Sequence, residues 1–134
     1  MIKVFFDGSC EPNPRGIVRY GAVIYKHDEI IKEIAVKANF KTEDNTNNVA
    51  EYCGLIASLK YLMSENLQQE EIYIFGDSKL VITQMSGTAN INGGKYVQFA
   101  DMAFMLLQNF SNTIFEWIPK ERNTHADALS RQVR

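Results

Sequence analysis

The apolar run Val4-Phe5-Phe6 leads straight into Asp7-Gly8-Ser9, and the same pattern returns later as Ile72-Tyr73-Ile74-Phe75-Gly76 leading into Asp77-Ser78. Each stretch reads as a buried β-strand with a carboxylate where the apolar run gives out. Continuous apolar runs, rather than alternating ones, mark strands buried on both faces. Open α/β sheets bind ligands at the carboxyl ends of their strands, so two acids delivered to one sheet edge point to a metal or acid/base site. Asp is also a good turn residue and helix cap, and that reading suffices for either acid alone. The pair together favours a site.

The remaining segments fill in the sheet. Residues 2–6 are rich in Val, Ile and Phe and predict a first strand in the middle of the sheet, ending at Asp7. The Gly and Pro content from Asp7 to Gly16 predicts a turn there. Ile17–Lys26 and Ile30–Ala38, separated by His27-Asp28-Glu29, predict an antiparallel hairpin. After the polar loop Thr42 to Asn48, the spacing of Val49, Tyr52, Cys53, Ile56, Leu59 and Met63 predicts a helix over 49–63. Glu51 falls in its first turns, where the helix dipole alone would favour an acid. The fourth strand then ends at Asp77, and strand, helix, strand makes a right-handed parallel crossover that brings it beside the first. Asp7 and Asp77 would then close adjacent strands about 5 Å apart.

A short helix over 78–85, a glycine-broken loop over 86–94, and a well-buried helix over 95–109 should follow. A fifth strand over 113–118 is stopped by Pro119, and a last helix starts near Asn123 with Asp127 in its first turns. The expected fold is therefore α/β, with one domain over 1–134 and a five-stranded mixed sheet in the order 3-2-1-4-5, strand 2 antiparallel and helices flanking.

Composition narrows the function classes. A formal charge of -2 gives no whole-molecule attraction to nucleic acid, so such binding must use a local surface or metal ions. Cys10 and Cys53 lack CxxC or histidine company, which argues for free thiols rather than zinc. Apolar stretches are too short to span a bilayer and no signal peptide precedes Met1, so a cytoplasmic location is expected; a monomer is expected separately.

Four acids now share matched contexts: Asp7 and Asp77 at strand ends, Glu51 and Asp127 near helix starts. In order and local wording the chain resembles type 1 ribonuclease H over nearly its whole length. The phrases that carry the resemblance are Asp7-Gly8-Ser9-Cys10-Glu11-Pro12-Asn13-Pro14, Thr46-Asn47-Asn48-Val49-Ala50-Glu51, Gly76-Asp77-Ser78 and Asn123-Thr124-His125-Ala126-Asp127-Ala128-Leu129-Ser130. The resemblance implies that Asp7, Glu51, Asp77 and Asp127 are catalytic carboxylates holding two Mg²⁺ or Mn²⁺ ions. They would cut the RNA strand of RNA/DNA hybrids to 5′-phosphate and 3′-hydroxyl ends. Elementary electrostatics agrees, since clustered carboxylates repel unless protons or a hard cation neutralise them.

By position, the resemblance makes Cys10, Asn13, Asn47 and Asn48 contacts to the RNA strand in the minor groove, and Thr46 a contact to a DNA phosphate. Asn amides suit 2′-hydroxyls, which donate and accept. Thr46 or Asn47 could equally cap the helix, and Cys10 could be a small buried thiol. Lys79 and Arg15 are candidates for phosphate contacts. The chain departs from the family in three ways, one of them its acidic overall charge. The interval from Pro119 to Asn123 contains no histidine where many members carry one, and His125 is expected on the surface. There is also no basic, Trp-rich extension, which is the pattern of minimal single-domain forms. Two alternatives stay open: the same metal site acting on double-stranded RNA or another structured nucleic acid, and a module that binds without cutting. A structural calcium site is disfavoured because EF-hand ligand spacing is absent.

Overall fold

The computed structural model describes residues 1–38, 44–87, 89–91 and 93–132. Of the loops expected from the sequence, Thr42, Glu43, Thr88 and Asn92 lie outside the described residues. The strands are β1 (Ile2–Glu11), β2 (Ile17–Lys26), β3 (Glu29–Lys37), β4 (Glu71–Gly76) and β5 (Asn112–Trp117). The helices are α1 (Asn47–Ser64), α2 (Lys79–Met85), α3 (Val97–Leu107) and α4 (Thr124–Gln132), with a single 3₁₀ turn at Lys120–Arg122 before the last. The sheet order among the described residues is β3-β2-β1-β4-β5, with β2 antiparallel to both neighbours and β4 parallel to β1 and β5. Fold class and strand order therefore match the reading of the sequence. No helix of the described residues is long and apolar enough to cross a membrane.

Where β1 ends differs from the expectation, and the difference positions the site. The parallel pairing with β4 stops at Phe6↔Gly76, as the acids suggest, but the antiparallel pairing with β2 continues to Glu11↔Ile17. Gly8 does not break the strand because its partner strand is still present. A glycine is needed there for a packing reason: a Cβ on Gly8 would fall onto the backbone carbonyl of Ala50 in the first turns of α1. Gly8→Ala must therefore push α1 off the strand. Overpacking of this kind is expected to lower stability by about 3 kcal/mol in urea unfolding. An unchanged denaturation midpoint would show that the contact is not made.

The hairpin turn is tighter than three residues. Lys26 pairs with Glu29, leaving His27 and Asp28 as a two-residue loop with φ of 52° and 65°, the left-handed geometry that suits the twist of paired strands. Helix α1 also begins earlier than expected. The Thr46 hydroxyl accepts from the Val49 N–H at 3.1 Å and caps it, so Asn47 and Asn48 belong to the first turn. Much of α1 is buried against β1, β2 and α3, with Tyr52, Leu55, Leu59 and Leu62 against Ile72 and Ile74 in the main core.

Helix α3 corrects the sequence reading. Only Ala100 and Ala103 are fully buried, while Met102, Phe104 and Met105 stand in solvent, Met105 by 72%. Phe99, Leu106 and Leu107 flank these alanines, partly buried against the core, so the packed face is narrower than the apolar composition of the helix suggests.

Neighbours along a strand face opposite sides and cross-strand partners share one, which fixes the layers. Phe6 faces α1. Asp7 and its partner Gly21 face α4, which approaches so closely that a Cβ on Gly21 would lie 2.6 Å from the Ser130 nitrogen and 2.8 Å from the Ala126 oxygen. Beyond Gly76 the β4 edge of β1 is open, and side chains from both layers can meet there.

Candidate active site

Three acids use that opening. Asp7 comes from β1, Asp77 from the residue after β4, and Glu51 from the second turn of α1, which Gly8 allows to press against the strand. One carboxylate oxygen of each lies within 4.8 Å of the others, the sole such group of three among the described residues. Asp7 and Glu51 are 3% and 7% exposed, and Asp77 is half-buried.

The cluster is electrostatically loaded. Burial pushes the Asp7 carboxyl up to about 6, helped by the charge of Asp77 and by Asp127, while hydrogen bonds from Glu51 and the Gly8 N–H pull it down. Burial, followed by the charge of Asp7, holds Glu51 well above the usual carboxylate range. Its Oε2 is buried without a hydrogen-bond partner. A buried acceptor with no donor, on one of two adjoining acids whose carboxyls are both raised, fits a hard divalent cation, for which an all-carboxylate donor set is the expected ligand type.

Asp127 stands at the border of this group. It lies next to Asp7, whose side chain hydrogen-bonds with it, but it is not one of the three. Its Oδ2 accepts from Arg131 Nη2, Arg131 Nε reaches Oδ1 at 3.3 Å, and Lys120 Nζ is 3.6 Å from Oδ1. Burial would raise Asp127, but these hydrogen bonds and charges outweigh it and hold the carboxyl low. Burial likewise pulls down the Lys120 ammonium, and the charges of Asp7, Asp127 and Asp77 more than reverse the effect. A lysine thus faces the acids from the interval where the resemblance implied a histidine. His125 instead points to the surface, 2.6 Å from Glu33 on β3.

The neighbouring surface holds the polar residues named from the sequence. The Asn47 Oδ1 accepts from the Cys10 N–H at 2.8 Å, and the Asn13 Oδ1 accepts from the Asn47 N–H at 3.1 Å. Both asparagines are exposed, and Thr46 and Asn48 are half-buried. Cys10 does not present its thiol: the side chain is 2% exposed and donates to the Pro12 carbonyl at 3.3 Å. It is packed in one small cluster with Cys53, and both thiols are free. Arg15 is exposed, and Lys79 lies over the Trp117 ring at 4.8 Å.

Asn123 was read from the sequence only as a helix start. In the structure its Nδ2 donates to the Phe6 carbonyl at 2.8 Å and to Asp77 Oδ2 at 3.0 Å. Its place in the phrase shared with Asp127 was the signal available.

The family profile described as reverse transcriptase-like matches residues 5–133. The N-terminal RNase H domain of Rv2228c from Mycobacterium tuberculosis superimposes with a TM-score of 0.85 at 35% identity, over 97% of this chain and 90% of that one. The chain belongs to the type 1 ribonuclease H family. RNase H1 from Halobacterium salinarum gives the same TM-score at 30% identity, over 98% and 95% of the two chains. LC11-RNase H1, solved in complex with an RNA/DNA hybrid, gives 0.81 at 28% identity, over 98% and 95%. This ribonuclease H domain spans about a third of the full bifunctional protein Rv2228c, to which it is 36% identical over 95% of its own length. It spans 63% of the full Halobacterium ribonuclease HI.

Proposed function

We propose that the domain is a metal-dependent endonuclease that hydrolyses the RNA strand of RNA/DNA hybrids, leaving 5′-phosphate and 3′-hydroxyl ends. The observation that carries this reading is the three-acid cluster with its unpartnered Glu51 Oε2, sited on a ribonuclease H fold. Asp7, Glu51 and Asp77 would hold two Mg²⁺ or Mn²⁺ ions, with Asp127 completing the set beside Asp7. Two such ions supply charge stabilisation to the attacking and leaving oxygens of an in-line phosphoryl displacement.

The chain's own residues do the rest. Asp7 and Glu51, tied by a shared hydrogen bond, keep their oxygens aimed at one point before any ion arrives. Lys120 and Arg131 offset the charge of Asp127, so that it does not add fully to the repulsion within the cluster. Asn13 and Asn47 spend their carbonyl oxygens on internal hydrogen bonds, which leaves their amide N–H groups for an outside acceptor. Donors of that kind suit the 2′-hydroxyl, sugar and base-edge acceptors of a minor groove, and they read shape rather than sequence. Asn48 and Thr46 extend this surface, Thr46 keeping its hydroxyl proton for a phosphate of the DNA strand. Cys10 contributes through its backbone N–H, which fixes Asn47. Every residue named lies on one chain, so a monomer suffices, and a cytoplasmic setting agrees with two free thiols.

The test is direct. End-labelled RNA/DNA hybrid, duplex RNA, duplex DNA and single strands are incubated with the chain in Mg²⁺, Mn²⁺ or EDTA, and the product ends are analysed. Cutting confined to the RNA of the hybrid, abolished by EDTA, is the expected result. Cutting of duplex RNA alone, or binding without cutting, would replace this function with one of the other two readings.

A further inference from the structure

Asn123 is 1% exposed, and its backbone and side chain both belong to the site. The Asn123 N–H donates to the Lys120 carbonyl at 2.9 Å, and its carbonyl accepts from the Asp127 N–H at 3.1 Å, starting α4. Its Nδ2 bridges the Phe6 carbonyl and Asp77 Oδ2. The amide orientation is forced, since the reverse placement would set an oxygen against two acceptors. The remaining Oδ1 is buried without a partner among the described residues.

The consequence falls on Asp77. Of its two carboxylate oxygens, Oδ2 gives one lone pair to a buried donor that holds the group's orientation, and Oδ1 is the oxygen with no such tie to Asn123. We infer that Asn123 determines which cation the site accepts, by holding Asp77 in an orientation that favours one-oxygen ligation. Mg²⁺ demands a compact octahedron, keeps several waters and is served by single carboxylate oxygens. Ca²⁺ is larger, takes more ligands and readily accepts both oxygens of one carboxylate. A carboxylate with one oxygen tied down favours the smaller ion, while one free to turn would serve the larger. This inference rests on the proposed metal site.

Isothermal titration calorimetry of Mg²⁺, Mn²⁺ and Ca²⁺ into the full chain tests it without reference to turnover. In Asn123→Ala, affinity for Ca²⁺ relative to Mg²⁺ should rise about tenfold, the scale on which partners of metal ligands act. Should Ala leave too large a void for folding, Asn123→Leu keeps the branching at Cγ, fills the space and still removes the donor. A purely structural anchor would weaken all three ions equally, so an unchanged ratio in a folded variant overturns the inference and leaves the proposed function standing. If wild-type protein binds none of the three ions, the metal site itself fails and the inference falls with it.

Discussion

Asp7→Asn is expected to abolish hybrid cleavage and, in the absence of metal, to make the chain more stable. The two effects share a cause. In the folded chain the Asp7 carboxyl is raised from 3.8 to about 6, chiefly by burial. A group raised on folding stabilises most below its unfolded value, and that contribution is lost as pH rises through the folded one. Near neutral pH the ionised Asp7 is therefore a burden to the metal-free fold. An amide of the same size removes the charge, retains an oxygen to accept the Gly8 N–H, which Asp7 takes at 2.9 Å, and should gain about 1–3 kcal/mol. Cleavage should fall about a thousandfold or more, the rate equivalent of losing several kcal/mol of metal-borne charge stabilisation. Urea unfolding in EDTA and hybrid cleavage in Mg²⁺ measure the two sides. Full activity in this variant would remove Asp7 from the centre of the site.

The features legible in the sequence were those written in local patterns. An apolar run closed by Asp, seen twice, correctly ordered the central strands and marked the edge where Asp7 and Asp77 meet. Helical spacing found α1, and with it Glu51. What escaped depends on partners that local patterns do not show. Gly8 looks like a turn signal, yet it lies inside β1 because β2 continues alongside and α1 presses from above. Met102, Phe104 and Met105 look like core, yet they stand in solvent, while Ala100 and Ala103 are the fully buried residues of α3. Cys10 sits in a phrase of substrate contacts, but strand alternation turns its thiol inward. Asp127 carries a helix-start signature that says nothing of Arg131 one turn on or of Lys120 before the helix. Asn123 shows the limit best, because its worth comes from Phe6 and Asp77, distant in sequence and visible only once folded.

Metal stabilisation of the chain should be strongly pH-dependent, with a sign set by Asp7 and Glu51. Metal ligands must be deprotonated, so an ion entering the cluster displaces the protons these acids hold. Asp7 titrates at about 6 and Glu51 well above the ordinary carboxylate range, so both retain protons at mildly acid pH. Below about pH 6, apparent Mg²⁺ affinity should fall roughly tenfold per pH unit for each proton displaced. Without metal the trend reverses: the two acids favour the fold near pH 4, and the contribution of Asp7 is lost as pH rises through about 6. Thermal unfolding in EDTA and in saturating Mg²⁺, followed from about pH 4 to about pH 8, should give curves that coincide at the acid end and diverge upward. Asp7→Asn isolates the cluster from the other titrating groups, because in that variant the divergence should shrink and the EDTA curve should lose its decline through about pH 6. Curves that stay parallel across the whole range in the wild type would mean that no proton is exchanged for metal, and that the cation stabilising the chain sits somewhere other than among these acids.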